Sequence, residues 1–205
     1  MPWQPSYCTA AELASRLSVP DTDAELAMAT EAASRAIDRY AGRQFGLLSS
    51  SEFRWYTAEW FRDRWIIDID DLMTEASLTI EVDNDQDGIP EAEITAYRLT
   101  PVNNAAIGRP WTRIEVLPAS AVKPTGAPSG VRISARWGWT NVPQPIKLAT
   151  LTLAAKLYSR RANINGPLSS ERIDDVAYGY ATGTDLDSDV AEMVDPFRKP
   201  PWVAV

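Results

Sequence analysis

Residues 23–45 read DAELAMATEAASRAIDRYAGRQF, and their pattern is that of one amphipathic helix. Residues at steps of three or four share one face of this helix: Leu26, Ala29, Ala33, Ile37 and Tyr40. The rest of that face is alanine, and a stripe this small lets another backbone come close. We expect Asp21 or Thr22 to cap the helix and Gly42 to end it. The stretch therefore predicts a long helix packed tightly into a bundle.

Residues 146–163, IKLATLTLAAKLYSRRAN, predict another long helix that is apolar on more than one face. One stripe contains Ile146, Ala149, Leu153 and Leu157, and a second stripe beside it contains Leu148, Leu151, Ala155 and Tyr158. A helix that is apolar this far round is buried on several sides. In a domain of this size we expect the second stripe to face a neighbouring subunit, so its four residues are the predicted subunit interface.

A strand-like region separates the two helices. From Glu52 onward, apolar and polar residues alternate with a period of two, which is typical of half-buried strands. About six antiparallel strands are predicted, at residues 53–57, 65–70, 78–82, 93–97, 114–116 and 131–137. Pro- and Gly-rich turns separate them.

These elements predict an α+β protein, a small helical bundle with a large antiparallel β-rich insertion. Residues 1–50 supply the N-terminal helices, and Thr9 and Glu12 form a capping box for the first of them. Residues 51–141 form the β-rich insertion. Residues 142–205 complete the bundle with a long helix, a short helix and an extended C-terminal tail.

The chain of 205 residues contains no histidine. This excludes Ser-His and Cys-His nucleophilic catalysis and the usual imidazole zinc sites, and it removes the commonest general base. An enzyme would have to use carboxylates, lysine, tyrosine or a hard metal. We therefore predict no enzymatic activity, no catalytic residue and no cofactor.

The net charge is −8, whereas proteins that grip DNA carry a basic surface that displaces counterions. An acidic balance suits a channel through which DNA slides, and it suits an ordinary soluble protein equally well. No membrane partner is expected, because no signal peptide is visible and no apolar run approaches the ~20 residues that span a bilayer. The single cysteine, Cys8, fits a reducing cytoplasm.

The acidic stretch VDNDQDG, at residues 82–88, has Asp83, Asp85 and Asp87 at alternate positions before a glycine. Carboxylates at this spacing can converge on Ca²⁺. The twelfth position of a full site requires a bidentate glutamate, and here that position is Ile94. Because Asp, Asn and Gly are also the standard turn residues, we predict a solvated hairpin turn with no required metal. The three aspartates are therefore only weak metal candidates.

The eight tryptophans suggest an alternative function. Trp55, Trp60 and Trp65 are closely spaced, and Trp137 and Trp139 lie on one strand face. Aromatic side chains on an open sheet can stack on ligands, so a β-rich glycan-binding module is the second candidate function. Such rings more often fill the core of a small β-domain, and we favour core packing for them.

A second acidic cluster suggests a further, weaker alternative. Asp68, Asp70 and Asp71 could combine with Asp83 and its neighbours to hold Mg²⁺ for phosphodiester cleavage by a metal-dependent nuclease. Asp68 and Asp70, however, lie on the polar face of an alternating strand, where strand structure alone would place them. A structural role is favoured for both.

The C-terminal stretch FRKPPWVAV, at residues 197–205, combines large apolar side chains with prolines that prevent a helix. An extended apolar segment needs a surface to cover. It could fold back on its own domain, or it could dock onto another chain with Phe197 and Trp202 as anchors.

Five stretches together resemble the head–tail connector (adaptor) proteins of tailed bacteriophages. These are the two long helices, YCTAAELASRL at residues 7–17, SSERIDDVAYGY at residues 169–180 and VDPFRKP at residues 194–200. Family members have similar motifs in the same order. The resemblance covers the helical segments and the C-terminal third, and it covers residues 52–139 poorly.

The resemblance implies a structural virion protein, made in the host cytoplasm and located at the head–tail junction. Its copies would form a twelve-fold ring beneath the portal, closed by heterologous contacts under rotation. The ring would extend the DNA channel, pass double-stranded DNA without sequence preference, and bind the portal protein and the next connector or stopper protein. The residues expected to dock on the portal are Phe197, Arg198, Pro200, Pro201, Trp202 and Val203.

Overall fold

A computed structural model describes residues 5–162, 170–173, 176–179 and 186–199. The chain divides into two compact units. The described residues up to Phe45 and from Val142 onward form one unit, here called the helical unit. Gly46–Asn141 form the other, here called the β unit. The described part of the chain has no helix that is both long and apolar enough to cross a bilayer.

The helical unit contains α1 (Ala10–Leu17), α2 (Ala24–Ala41), α3 (Gln144–Ala162) and α4 (Ser188–Val194), with a 3₁₀ turn at Asp195–Phe197. The β unit contains β1 (Glu52–Tyr56), β2 (Ala58–Phe61), β3 (Arg64–Leu72), β4 (Thr79–Val82), β5 (Ala92–Glu93), β6 (Tyr97–Thr100), β7 (Trp111–Val116) and β8 (Val131–Ala135). Two further strands, β9 (Ser170–Ile173) and β10 (Val176–Gly179), pair antiparallel in the C-terminal part of the chain. The predicted α+β class is confirmed.

The predicted capping box at the start of α1 is confirmed. The Thr9 hydroxyl accepts from the Glu12 N–H at 3.1 Å, and the Glu12 carboxylate accepts from the Thr9 N–H at 2.9 Å. Behind this cap Leu13 and Ala14 are buried. The Lys147 ammonium of α3 also contacts the Glu12 carboxylate. One side chain therefore caps α1 and joins it to α3.

The predicted caps of α2 lay one or two residues too early in the chain. Asp23 precedes the helix with an extended backbone, and its carboxylate accepts from the Glu25 N–H at 2.9 Å. Asp21 and Thr22, predicted as caps, lie upstream of this position, too far along the chain to be the residue flanking the first helical turn. Gly42 ends the helix with φ +66°, as expected.

The small face of α2 lies in the core of the helical unit, where α2 packs on α3. Four of its predicted residues are buried, namely Leu26, Ala29, Ala33 and Ile37. The fifth, Tyr40, is only half-buried. Its hydroxyl donates to Asp195 Oδ1 at 2.7 Å, so it lies at the edge of the stripe, where α2 meets the segment after α4.

The β unit consists of two four-stranded antiparallel sheets, with strand orders β1-β8-β4-β5 and β2-β3-β7-β6. The antiparallel arrangement was predicted, but β2 was not. A two-residue turn of Arg62 and Asp63, with φ +48° and +62°, joins β2 to β3. Such turns usually carry Asn-Gly or Asp-Gly, and neither pair occurs here, so the turn could not be recognised from its residues.

The strand predicted at residues 93–97 is divided in two. β5 ends at Glu93 and β6 begins at Tyr97 in the other sheet. Ile94 lies between them, is fully buried, and donates its N–H to Ile80 O at 2.8 Å. The alternating pattern therefore continues through a point where the chain changes sheets.

Candidate functional site

One side of α3 belongs to the core of the helical unit, where it packs against α1, α2 and α4. Ile146 and Ala149 are fully buried, Leu153 is buried, and Leu157 is half-buried. This is the first of the two stripes that the sequence predicted. Its burial within a single chain leaves the second stripe as the candidate contact surface.

Among the residues that the structure describes, none fully covers the second stripe of α3. Leu148 is 45% exposed, and Leu151, Ala155 and Tyr158 are half-buried. Leu148 and Leu151 line a groove of about 570 Å³ between α3 and α4, together with Gln144, Pro145, Lys147 and Met193. Covering apolar groups of this kind releases water and favours association. The subunit-interface role of the four stripe residues stays a prediction.

Tyr158 already has a partner within its own chain. Its hydroxyl donates to Asp23 Oδ2 at 2.8 Å, and this hydrogen bond raises the pKa of Tyr158. Nearby, the Lys156 ammonium pairs with Asp187 at 2.8 Å. These contacts join the second half of α3 to the start of α2 and to the residue before α4. Leu148, in the first half of α3, is the most exposed residue of the stripe.

The first two predicted portal-docking residues pack against the end of α2. The Phe197 ring meets Phe45 edge-on, with centroids 6.1 Å apart. The Arg198 guanidinium lies 4.7 Å from the centre of the Tyr40 ring. The N–H of Lys199 donates to Ala41 O, at the last residue of α2, at 2.8 Å. The segment that leads into the tail is thus anchored to its own unit. The other predicted docking residues lie outside the described part of the chain: Pro200, Pro201, Trp202 and Val203.

The three weak metal candidates converge at one loop of the β unit. Asp83, Asp85 and Asp87 are joined there by Glu91, and one carboxylate oxygen from each lies within 4.8 Å of the others. Asp83 is only 3% exposed, whereas the other three are exposed. Glu91 was not among the residues predicted from the sequence, although it occupies the ninth position counted from Asp83, a position that carries a ligand in calcium loops.

The tryptophans divide between the core and the surface of the β unit. Trp137 and Trp139 are buried, as favoured from the sequence. Trp60 is 57% exposed on β2, where its ring meets Trp65 edge-on at 5.2 Å between centroids. Because Trp137 and Trp139 are enclosed, the glycan-binding alternative stays a prediction that could use only the other three rings. Trp55 and Trp65 are half-buried.

The second acidic cluster is engaged in other contacts. Asp68 Oδ1 accepts from Arg113 at 2.6 Å, and Asp70 Oδ2 accepts from Arg54 at 2.7 Å. Asp71 is buried and accepts from the Trp139 indole N–H at 2.8 Å. All three carboxylates therefore have structural partners, as the strand pattern predicted for Asp68 and Asp70. The lone thiol also lacks nucleophilic character, because burial raises the pKa of Cys8 to about 11.

The fold occurs in solved structures of a gene transfer agent (GTA) particle. A chain in the neck of the native particle, computed with C12 symmetry, matches with a TM-score of 0.56 and 22% identity, covering 100% of this chain and 96% of that one. A chain in the neck of the empty particle, computed with C6 symmetry, matches with a TM-score of 0.55, the same identity and the same coverage. A chain of the native virion matches with a TM-score of 0.52 and 23% identity, covering 97% and 93%.

No protein-family model matches this chain, and no curated protein matches it either. At 22–23% identity, the structural matches establish a shared fold. They extend over the β unit as well, the region where the sequence resemblance to connectors was poorest.

Proposed function

We propose that this protein is a structural component of the neck of a phage-like virion, located at the head–tail junction. The observation that carries the proposal is the full-length match to neck chains of the GTA particle, which covers 100% of this chain. A partial match could reflect a common helical bundle alone. A match over both units, with most of the neck chain covered as well, favours a common role for the whole chain.

The proposed assembly is a twelve-membered ring that joins head to tail beneath the portal and extends the DNA channel. The C12 symmetry of one matched neck supports this stoichiometry. The net charge of −8 suits a passage that must not hold DNA by its phosphates. The mechanism is assembly, in which heterologous contacts close under rotation, and no residue performs chemistry. The portal protein and the next connector or stopper are the proposed partners.

The groove beside α3 is the proposed contact between neighbouring subunits. Leu148 and Leu151 offer apolar surface that the described part of the chain leaves at least partly uncovered, and Ala155 and Tyr158 extend the same stripe. Packing a neighbour into this groove would bury these side chains, which stabilises the interface by about 25 cal/mol per Å² of apolar area. A carboxylate placed there would lose its hydration on assembly and oppose ring closure.

The test is Leu151→Glu, with Met28→Glu as a control. Met28 is an apolar residue of α2 that is 67% exposed, so its variant adds the same charge outside the groove. Analytical ultracentrifugation should find large assemblies of the 22.7 kDa chain for the wild type and Met28→Glu, and single chains for Leu151→Glu. Full rings of Leu151→Glu would refute the groove as the interface. A wild type that never associates, even with portal rings added, would refute the ring itself.

The tail from Pro200 is the proposed contact with the portal, with Trp202 as its main anchor. Because Phe197 and Arg198 are held against α2, the chain would leave the helical unit from a fixed point. Deleting residues 200–205 should leave the melting temperature unchanged and abolish binding to portal rings in a pull-down. Unchanged binding would refute docking by the tail, and loss of folding would show that the tail covers its own unit.

A further inference from the structure

The loop between β4 and β5 buries a carboxylate oxygen that has no partner. Asp83 is 3% exposed, and its Oδ1 atom is buried without a hydrogen bond from any described group. Its Oδ2 atom accepts from the N–H of Gly88 at 2.8 Å, which turns the carboxylate into the loop. A buried carboxylate oxygen without a donor or a cation is costly, so this atom requires an explanation.

Three more carboxylates surround it. One oxygen each from Asp83, Asp85, Asp87 and Glu91 lies within 4.8 Å of the others. Opposite ligands of Ca²⁺ are about 4.6–5.2 Å apart, since each bond measures 2.3–2.6 Å. The four oxygens therefore fit within one coordination sphere. Among the described side chains, none of the four carboxylates forms an ion pair with a lysine or an arginine.

A hairpin turn stabilised only by its own hydrogen bonds explains part of this arrangement. Asp85 accepts from the N–H of Asp87 at 3.2 Å, and Asp87 accepts from the N–H of Ile89 at 2.7 Å. Such contacts are ordinary in turns built from aspartate. They use the exposed side chains, however, and they leave Oδ1 of Asp83 without a donor.

We propose that this loop is a Ca²⁺ site with Asp83, Asp85, Asp87 and Glu91 as its ligands. The ion would supply the partner that Asp83 Oδ1 lacks and neutralise the charge of the crowded carboxylates. Water or backbone carbonyl oxygens would complete the six to eight oxygens that Ca²⁺ takes. This revises the expectation based on Ile94, because Glu91 provides the fourth carboxylate from the ninth position.

The bound ion would fix the loop onto the β unit. Both ends of the loop are already held, because the N–H of Glu91 donates to Val82 O and the N–H of Asp83 donates to Gly130 O, each at 2.9 Å. At its tip, the Gln86 amide donates to Pro128 O at 2.9 Å. Ca²⁺ would join the two sides of the loop between these points, so binding should raise the melting temperature.

Calorimetric titration of the full-length chain, first stripped with EDTA, tests the site. We expect one Ca²⁺ per chain with a dissociation constant between about 10⁻⁵ and 10⁻³ M, and a melting temperature that rises with Ca²⁺. Asp85→Asn and Glu91→Gln should each weaken binding at least about tenfold, because each removes one charged ligand from an exposed position. Glu93→Gln is the matched control, an exposed glutamate nearby that lies outside the group.

Three results would overturn the proposal. The first is no saturable heat up to about 10 mM Ca²⁺, tenfold above the weakest natural range. The second is equal weakening in Glu93→Gln, which would indicate general attraction to an acidic surface. The third is Mg²⁺ binding as tightly as Ca²⁺, which would contradict the choice of ion. None of these results depends on ring assembly, so they leave the proposed function to its own test.

Discussion

The first segment of each unit is held by a different kind of contact. In the β unit, the N–H of Leu48 donates to Trp137 O at 3.0 Å and the N–H of Trp139 donates to Gly46 O at 2.9 Å, so backbone meets backbone. In the helical unit, side chains hold the first segment: the Tyr7 N–H donates to the Ser34 hydroxyl at 3.1 Å, and Arg35 donates to Pro5 O at 2.6 Å. The Tyr7 hydroxyl accepts from the N–H of Phe45 at 2.8 Å and donates to Asp38.

This difference predicts where each unit is sensitive to mutation. A contact between two backbone segments requires no particular side chain, but a side-chain atom placed between the segments would clash with them. A side-chain contact depends on the atoms of one residue. The β unit should therefore be most sensitive to an added atom, and the helical unit to a removed one.

The largest effect is expected for Gly138→Ala in the β unit. A Cβ at this position would lie 1.8 Å from the carbonyl oxygen of Gly46, and the backbone has φ +107°. The clash forces the two segments apart, so the free energy of unfolding should fall by more than about 3 kcal/mol. Chemical denaturation measures the loss.

The control for this prediction is Gly108→Ala. Gly108 also has positive φ, at +66°, but nothing lies within 4 Å of the Cβ that alanine would add. Its variant should lose only the conformational strain, about 1–2 kcal/mol. Equal losses in the two variants would mean that strain alone matters and that the close backbone contact does not.

A smaller effect is expected for Tyr7→Phe in the helical unit. Tyr7 is buried, and removal of its hydroxyl takes away the acceptor of the Phe45 N–H and the donor to Asp38 Oδ1, while the Arg35 guanidinium still pairs with Asp38 Oδ2 at 3.2 Å. The free energy of unfolding should fall by about 1–3 kcal/mol, because unpaired buried polar groups are costly. The control is Tyr40→Phe, which removes a hydroxyl from an exposed contact with Asp195 and should cost less. If Tyr40→Phe lowered the free energy of unfolding more than Tyr7→Phe, the prediction would be contradicted.

The smallest effect is expected for Glu12→Gln, which keeps the capping box but removes the charge beside Lys147. Hydrogen bonds from Lys147 and from the Thr9 N–H lower the pKa of Glu12 below its ordinary 4.5. The charged contact therefore stabilises the fold above pH 4.5 and is lost as pH falls through the lower folded-state pKa. The pair is partly exposed, so its contribution is about 0.5 kcal/mol after screening.

Chemical denaturation of the wild type and of Glu12→Gln from about pH 2 to about pH 7 would test this contribution. This range extends at least about 2 units either side of the ordinary carboxyl pKa. The difference in stability should be constant at neutral pH and should shrink below pH 4.5. Glu31→Gln, a change at an exposed position of α2, should differ little from the wild type at any pH. A Glu12→Gln difference that grows in acid would have the wrong sign and would contradict the ion pair.

Sequence patterns predicted those elements whose residues interact within a turn or a strand. The face of α2, the capping box of Thr9 and Glu12, and the inward alternation of Val131, Ile133 and Ala135 all follow from local backbone geometry. A helix repeats every 3.6 residues and a strand every two, so the sequence itself carries these periods. The same periods could not reveal that the chain changes sheets after β5.

The candidate sites were predictable to different degrees. The two stripes of α3 could be identified from spacing, but their division into a buried and an accessible face depends on which helices pack against α3. Asp83, Asp85 and Asp87 were recognisable as a motif. The burial of Asp83 was not, because a polar residue in a turn is normally solvated.

The helices, most of the strands and their order follow from the amino-acid sequence, because these features depend on neighbours in the chain. The approach of Gly46 to Gly138, the contact of Tyr7 with Phe45 and the burial of one oxygen of Asp83 could be seen only in the folded chain. Each of these depends on the path of the chain between segments, and local propensity does not encode that path. Contacts between residues far apart in the sequence form only when the whole core packs, so local sequence patterns do not reveal them.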